Sequence, residues 1–307
     1  MKAKVSTEWL SGCSGCHIAL VDLHEKLVNL VDEVEFVRVP VLMDEKGYPK
    51  ANIGIVEGAV RSDHDWHCLM KMRESVTTLV AFGTCAVYGG PSGLGWLYPR
   101  EEVLATAYGS GPTNTPGDRP MGDVPVLEDS VVPIDMVVPV DLYLPGCPPS
   151  PFYIAAALRR LLDSKAPPLH DQTVCADCRR KMIRRPGTAL RKGAITAADD
   201  EICFLSQGVV CMGSATLNRC QSPCPRRGVA CTGCNGPRME IIREPRLDIR
   251  TSIAGTMHTM CGADEADIVR YLEADAKTYY SYTVASPAVY KKPTVELREW
   301  AKSGVLA

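Results

Sequence analysis

Aromatic residues make up only 6% of this 307-residue sequence. It has no run of 18 or more apolar residues, so no segment is long enough to cross a membrane as a helix. Neither sign of charge dominates. With 34 Lys and Arg against 36 Asp and Glu, the net charge of −2 gives no electrostatic footing for nucleic acid. The opening residues Met1-Lys2-Ala3-Lys4-Val5 lead into a strand-like segment and carry neither the apolar core of a secretory signal nor a twin-arginine pair. A cytoplasmic protein is expected.

What the sequence has in excess is cysteine, 14 in all. Cytosolic thiols stay reduced, so a disulfide framework does not fit. Three CxxC pairs stand at Cys13/Cys16, Cys175/Cys178 and Cys231/Cys234. Ligation of metal or cluster fits that clustering. With 25 glycines and 23 prolines, much of the chain is expected to be loop.

At 307 residues two domains are expected, since domains run to about 250 residues. Residues 1–165 alternate strand and helix patterns. Strands are expected at Lys4–Leu10, Val34–Val39, Asn52–Val56, Thr77–Phe82 and Met136–Leu144. Leu20, Leu23, Leu27, Leu30 and Val31 mark one helical face, and His64–Ser75 a second helix. Ser150-Pro151 begins a third, with Ile154, Leu158, Leu161 and Leu162 on one side. Such alternation predicts an α/β fold, a flavodoxin-like doubly wound parallel sheet. Asp163–His170, with Pro167-Pro168, reads as a linker. Residues 166–307 hold eight cysteines between 175 and 234 and little apolar periodicity. They predict a loop-rich domain organised around its cofactors. A short helix is expected at Ile268, Val269 and Leu272, and Tyr279-Tyr280-Ser281-Tyr282 suits either packing or an interface.

In open α/β sheets ligands gather beyond the carboxyl ends of the strands. Cys13 and Cys16 follow the first expected strand, Cys85 follows Phe82, and Cys147 follows Leu144, so four distant thiols converge on one sheet edge. The later cysteines fall into Cys175, Cys178, Cys203 and Cys211, then Cys220, Cys224, Cys231 and Cys234. Four cysteines suit zinc as well as iron–sulfur on ligand type. Zinc ribbons pair two CxxC knuckles at short separation, which this chain does not, and Cys220-x₃-Cys224-Pro225 is like the tail of a ferredoxin run.

Trp9-Leu10-Ser11-Gly12-Cys13-Ser14-Gly15-Cys16-His17, Val56-Glu57-Gly58, Gly83-Thr84-Cys85-Ala86 and Pro145-Gly146-Cys147-Pro148-Pro149 resemble the proximal-cluster motifs of [NiFe] hydrogenase small subunits. Cys203–Cys234 resembles that family's medial and distal segment. The resemblance is strongest to the cytoplasmic methyl-viologen-reducing, deazaflavin-independent group associated with heterodisulfide reductase. It implies three [4Fe–4S] clusters: proximal on Cys13, Cys16, Cys85 and Cys147; distal on Cys175, Cys178, Cys203 and Cys211; medial on Cys220, Cys224, Cys231 and Cys234. Two positions depart from the exported hydrogenases: Cys175 replaces a histidine, and Cys224 supplies a fourth ligand where theirs have three. Both imply all-[4Fe–4S] wiring of low potential. The resemblance also implies an obligate large subunit holding the nickel–iron centre, so no catalytic residue is expected in this chain. Electrons would leave to a [2Fe–2S] subunit and heterodisulfide reductase. No flavin or nucleotide is expected.

The related small subunit of respiratory complex I has adjacent cysteines in its motif, and none are adjacent here. Deazaflavin-reducing and sulfur-reducing hydrogenases differ in partner more than in wiring, and a zinc-stabilised scaffold or hydrogen sensor stands as the reading from another class. Cys68 and Cys261 are left without a set, and His64-Asp65-Trp66-His67-Cys68 reads as packing and solvated surface. His17 and His24 read as helix residues near a cofactor. Glu57 ends a strand on the cofactor edge and suits either proton traffic or ordinary hydrogen bonding. Gly83–Gly95 lacks both G-x-G-x-x-G and G-x-x-x-x-G-K-S/T and brackets Cys85 instead. Arg179, Arg180, Lys181, Arg184, Arg185, Arg191 and Lys192 form a basic run, read as a solvated face or a docking patch for an acidic partner.

Overall fold

The computed structural model describes residues 2–109, 111, 113–163, 169–244 and 246–286. The chain divides into two compact units, residues up to 155 together with 284–286, and residues 156–283. Of the expected linker, residues 164–168 lie outside the described ones.

The first unit runs β1 (Ala3–Trp9), α1 (Gly15–Val21), α2 (Glu25–Glu33), β2 (Val34–Arg38), β3 (Ala51–Glu57), β4 (Val60–Ser62), α3 (Asp63–Ser75), β5 (Val76–Phe82), α4 (Thr84–Tyr88), α5 (Arg100–Tyr108), β6 (Leu127–Val132) and β7 (Leu142–Leu144), and the division falls within α6 (Pro151–Leu162). Five strands form a parallel sheet in the order β2-β1-β3-β5-β7. Counting only its members, that is the 2-1-3-4-5 order of flavodoxin-like folds. Consecutive residues of β3 and β5 are buried, Ile53 to Glu57 and Leu79 to Phe82, so neither face of these strands meets solvent. That explains their unbroken apolar runs. At the carboxyl edge the register aligns one row across four strands, Trp9–Glu57–Phe82–Leu144.

Two local expectations are corrected, and one element is not expected. The periodicity from Leu20 to Val31 spans two helices, because Leu23 and His24 bond back only three residues, to Leu20 and Val21, and His24 turns left-handed at φ 51°. The Met136–Leu144 strand shrinks to β7. A 3₁₀ turn occupies Ile134–Met136, and Asp141 turns its carboxylate to the Leu79 N–H at 2.7 Å. A separate antiparallel pair, β4 with β6, has no clear alternation in the sequence, since β6 carries Glu128-Asp129-Ser130 at its centre.

The second unit is built from short turns and α7 (Pro223–Arg226), α8 (Met239–Arg243), α9 (Ile249–Cys261), α10 (Glu265–Ala274) and α11 (Ala276–Tyr279). Helix α9 is not expected from the sequence. It buries Ile249, Ile253, Ala254, Met257 and Cys261 along one face, but its threonines and Gly255 dilute the apolar signal. Its limits are well marked: Asp248 caps Thr251 N–H at 2.9 Å, and Gly262 closes it at φ 77°. Cys261 is fully buried there, and Tyr279 and Tyr280 are buried too, Tyr279 edge-on to Tyr271 at 5.7 Å. Among the described residues no helix is long and apolar enough to cross a membrane.

Helix α3 is fixed to the sheet edge by one buried carboxylate. Asp65 accepts from Ser11 Oγ (2.8 Å), Arg61 N (3.0 Å) and Ser62 N (2.9 Å), while Ser62 Oγ accepts from Asp65 N (3.1 Å). Removing it leaves buried donors unpaired, so Asp65→Ala is expected to destabilise the protein by about 3 kcal/mol. Denaturant unfolding of the variant against the parent measures this.

Candidate functional site

The turns leaving the aligned row carry the thiols. Cys13 and Cys16 follow Trp9, Cys85 lies three residues beyond Phe82, and Cys147 three beyond Leu144. These turns are tied together by backbone. Leu10 N donates to Glu57 O (2.8 Å), Ser11 and Ala59 exchange bonds at 3.1 and 2.8 Å, and Gly83 N donates to Leu144 O (2.9 Å). Thr84 N donates to Gly146 O (2.8 Å) and Thr84 Oγ1 accepts from Gly146 N (2.9 Å), which locks the Cys85 turn to the Cys147 turn. The four thiols consequently feel one another: Cys16 senses Cys85 and Cys147, and Cys13 acts on both Cys85 and Cys147. Two glycines make the room. A Cβ on Gly83 (φ 86°) would overlap Cys16 Sγ, and one on Gly90 would stand 2.5 Å from Cys85 Sγ.

Glu57, 2% exposed, serves the same turn. Its Oε2 accepts from Cys16 N (2.9 Å) and His17 N (3.2 Å), and its Oε1 lies 2.8 Å from His17 Nδ1, though not aligned as a hydrogen bond. His17 Nε2 meets Thr7 Oγ1 at 2.9 Å. Burial first, then the Glu57 carboxylate, pushes the Cys16 thiol far above its usual range. Burial and the neighbouring Cys85 and Cys13 push Cys147 up to about 11. His24 is exposed and stands at the break between α1 and α2.

In the second unit Cys175 is pushed up to about 12 by burial, then by Cys211, Cys203 and Cys178, so these four lie together. Cys220 is raised by burial and senses Cys224, while Cys231 is raised by burial and senses Cys211 ahead of Cys234 and Cys220. One of these sulfurs receives a backbone N–H group: Cys231 N reaches Cys211 Sγ at 3.3 Å, while Met212 N returns to Cys231 O at 2.8 Å. The two groups are therefore stitched to each other. Asn235, 1% exposed, accepts from Cys234 Sγ at 3.9 Å through its Oδ1 and donates to Leu217 O at 3.0 Å.

Among the described residues no group of three or more His, Cys, Asp or Glu is arranged to hold a metal ion. A cubane spreads its thiolates over four irons, whereas a mononuclear zinc site draws them about one ion. Aimed N–H donors suit anionic sulfur and are one of the means by which proteins adjust cluster potentials. By donor type, and by the N–H directed at Cys211, these cysteines fit iron–sulfur clusters.

Cys68 belongs to none of these sets. Neighbouring residues of the His64–Cys68 string point different ways on α3, but His64 and Cys68 themselves stand one turn apart, with Nε2 and Sγ separated by 3.4 Å. They line a cleft of about 560 Å³ together with Glu8, Arg38 and Tyr48. The i, i+4 spacing is the signal in the sequence for that contact. The basic run is not one uniform face either: Lys181 pairs with Glu201 (2.8 Å), Arg185 with Asp199 (3.8 Å), and Arg180 is buried.

Comparison with known proteins places these features. Residues 13–161 match the family described as NADH ubiquinone oxidoreductase, 20 Kd subunit. A subunit of the F420-non-reducing hydrogenase vhu of Methanocaldococcus jannaschii is 40% identical over 237 residues, 77% of this chain and 82% of the relative. The corresponding F420-non-reducing hydrogenase subunit of Methanothermobacter thermautotrophicus is 33% identical over 301 residues, 95% of this chain and 97% of the relative. A chain in the crystal structure of an NAD+-reducing [NiFe]-hydrogenase in the H2-reduced state shares 34% identity at a TM-score of 0.53, over 55% of this chain and 96% of that one.

Burial favours the protonated thiol, so loading a thiophilic metal must expel protons, and the competition weakens as pH rises toward the values near 11 and 12 at Cys147, Cys211 and Cys175. Reconstitution with iron and sulfide is expected to go further at about pH 8.5 than at about pH 6.5, with measurable proton release. Iron content after desalting, with a pH-indicator dye during loading, reads both.

Proposed function

The chain belongs to the small subunits of F420-non-reducing [NiFe] hydrogenases, and from that premise we propose that it carries electrons over three [4Fe–4S] clusters in a cytoplasmic enzyme. It is an oxidoreductase subunit that works with a large subunit. The reaction with hydrogen takes place, in this proposal, at a nickel–iron centre in that partner. Bound clusters supply one-electron transfer without bond making in this chain.

What the chain's own residues do is hold and bias. Cys13, Cys16, Cys85 and Cys147 would hold the proximal cluster at the sheet edge. Cys175, Cys178, Cys203 and Cys211 would hold the distal one, and Cys220, Cys224, Cys231 and Cys234 the medial one. The division into a flavodoxin-like domain and an iron–sulfur domain follows the same proposal. The observation that supports it is the convergence of the turns bearing Cys13, Cys16, Cys85 and Cys147 at one sheet edge, where Thr84 and Gly146 lock two of them together. A [2Fe–2S] subunit leading to heterodisulfide reductase is the proposed electron acceptor.

Anaerobically purified protein is expected to contain about twelve irons and about twelve acid-labile sulfides, four of each per cubane. Zinc near three per chain, with no visible absorption, would overturn the reading. Cys224→Ala is expected to release one iron and leave a [3Fe–4S] cluster on Cys220, Cys231 and Cys234. Paramagnetic resonance of the oxidised variant then shows about one new [3Fe–4S] spin per protein. Retention of every iron would remove Cys224 from the ligand set.

A further inference from the structure

Arg180 stands out in the second unit because its side chain is 5% exposed although it carries a full charge. A buried cation is costly unless its donors are satisfied. Here the guanidinium is used almost to capacity. Its Nε donates to Pro225 O at 3.1 Å, and one terminal nitrogen donates to Asp199 O at 2.9 Å and Ile202 O at 3.0 Å. The other terminal nitrogen meets Asp200 Oδ1 at 3.2 Å. The guanidinium plane lies over the Phe204 ring at 4.1 Å.

Three of these partners adjoin a cysteine. Arg180 itself is two residues beyond Cys178, Ile202 and Phe204 flank Cys203, and Pro225 follows Cys224. The backbone reinforces the same junction, with Cys203 N donating to Lys181 O at 2.9 Å and Lys181 N to Glu201 O at 2.7 Å. Gln207 shares two of the acceptors, its Nε2 lying 2.9 Å from both Asp199 O and Ile202 O. Three cysteine-bearing turns are therefore joined through one side chain.

The charge is not cancelled where it sits. The only carboxylate paired with it among the described residues, Asp200, is 88% exposed and therefore screened by water. The guanidinium, in contrast, is enclosed by Ile202 O and the Phe204 ring, the two residues that flank Cys203. A fixed positive charge stabilises whichever oxidation state of a nearby cluster is more negative, which is the reduced one.

We propose that Arg180 is a positioning residue whose buried charge raises the reduction potential of the cluster held by Cys175, Cys178, Cys203 and Cys211, while its fork joins that cradle to the turn bearing Cys224. This rests on the ligand reading above. Lysine can keep the charge but not the planar fork or the stacking on Phe204, so the two roles separate.

The test uses the assembled hydrogenase, purified anaerobically, as wild type, Arg180→Gln and Arg180→Lys. Iron content is measured, and each cluster is followed by paramagnetic resonance during a redox titration. In Arg180→Gln one midpoint is expected to fall while the midpoint assigned to the first unit stays in place. Arg180→Lys is expected to recover most of that fall. Unchanged midpoints in a fully loaded Arg180→Gln enzyme overturn the proposal, as does an equal fall in the lysine variant, which would make the effect one of shape. If Arg180→Gln fails to load, a loaded lysine variant with a wild-type midpoint supports the charge role. Failure of both variants to load leaves only the fork and overturns it. An otherwise unchanged enzyme that keeps all its iron on Cys175→Ala fails the ligand reading instead, whatever Arg180 does.

Discussion

Parallel strands all leave a sheet at the same edge, and the first unit depends on that constraint. The row Trp9–Glu57–Phe82–Leu144 brings four strand ends level. Any residue placed three or four positions beyond that row is delivered to the same small volume, however distant in sequence. The Thr84–Gly146 clasp and the Ser11–Ala59 exchange then remove the remaining freedom of the turns. Side-chain volume is excluded at Gly83 and Gly90, where a Cβ would press on Cys16 and Cys85. The cradle is thus made of backbone, with the cysteines as its lining.

That edge was legible because its determinants are local. Strands such as Asn52–Val56 and Thr77–Phe82 are marked by apolar runs, and a parallel order follows from the alternation with helices. The misreadings have equally local causes. His24 adopts a left-handed backbone that nothing in the Leu20–Val31 periodicity signals, and Asp141 ends the ladder by offering a carboxylate to Leu79 N–H. Glu57 could be placed at the strand end. That it binds the Cys16 and His17 N–H groups depends on a pairing across 40 residues or more, which spacing does not encode.

The second unit was less legible for a different reason. Its turns are ordered by isolated backbone bonds such as Cys231 N to Cys211 Sγ and by carbonyls gathered around Arg180 and Gln207. Such contacts have no period, so they leave no pattern of the kind that marks a strand or helix. Helix α9 does have a period, but its buried face is completed by Ala254 and Cys261, which carry little weight in an apolar pattern. Cysteine spacing marks out the groups, while the residues joining them, Arg180 above all, look in the sequence like part of an exposed basic run. Burial separates Arg180 from its neighbours in that run, and burial is a tertiary property.

Charges of opposite sign accompany the thiol sets of the two units. A carboxylate, Glu57, binds the turn that carries Cys16 in the first unit. A guanidinium, Arg180, two residues beyond Cys178, binds the turns that carry Cys203 and Cys224 in the second. Adding an electron makes a cluster more negative, so a neighbouring carboxylate opposes reduction and a neighbouring guanidinium assists it. Under the ligand assignment proposed for this chain, the first set is biased to give up electrons and the distal set to receive them. Under that assignment the bias would need no difference in cluster type. It would come from two side chains, each held by the turns that carry the proposed ligands.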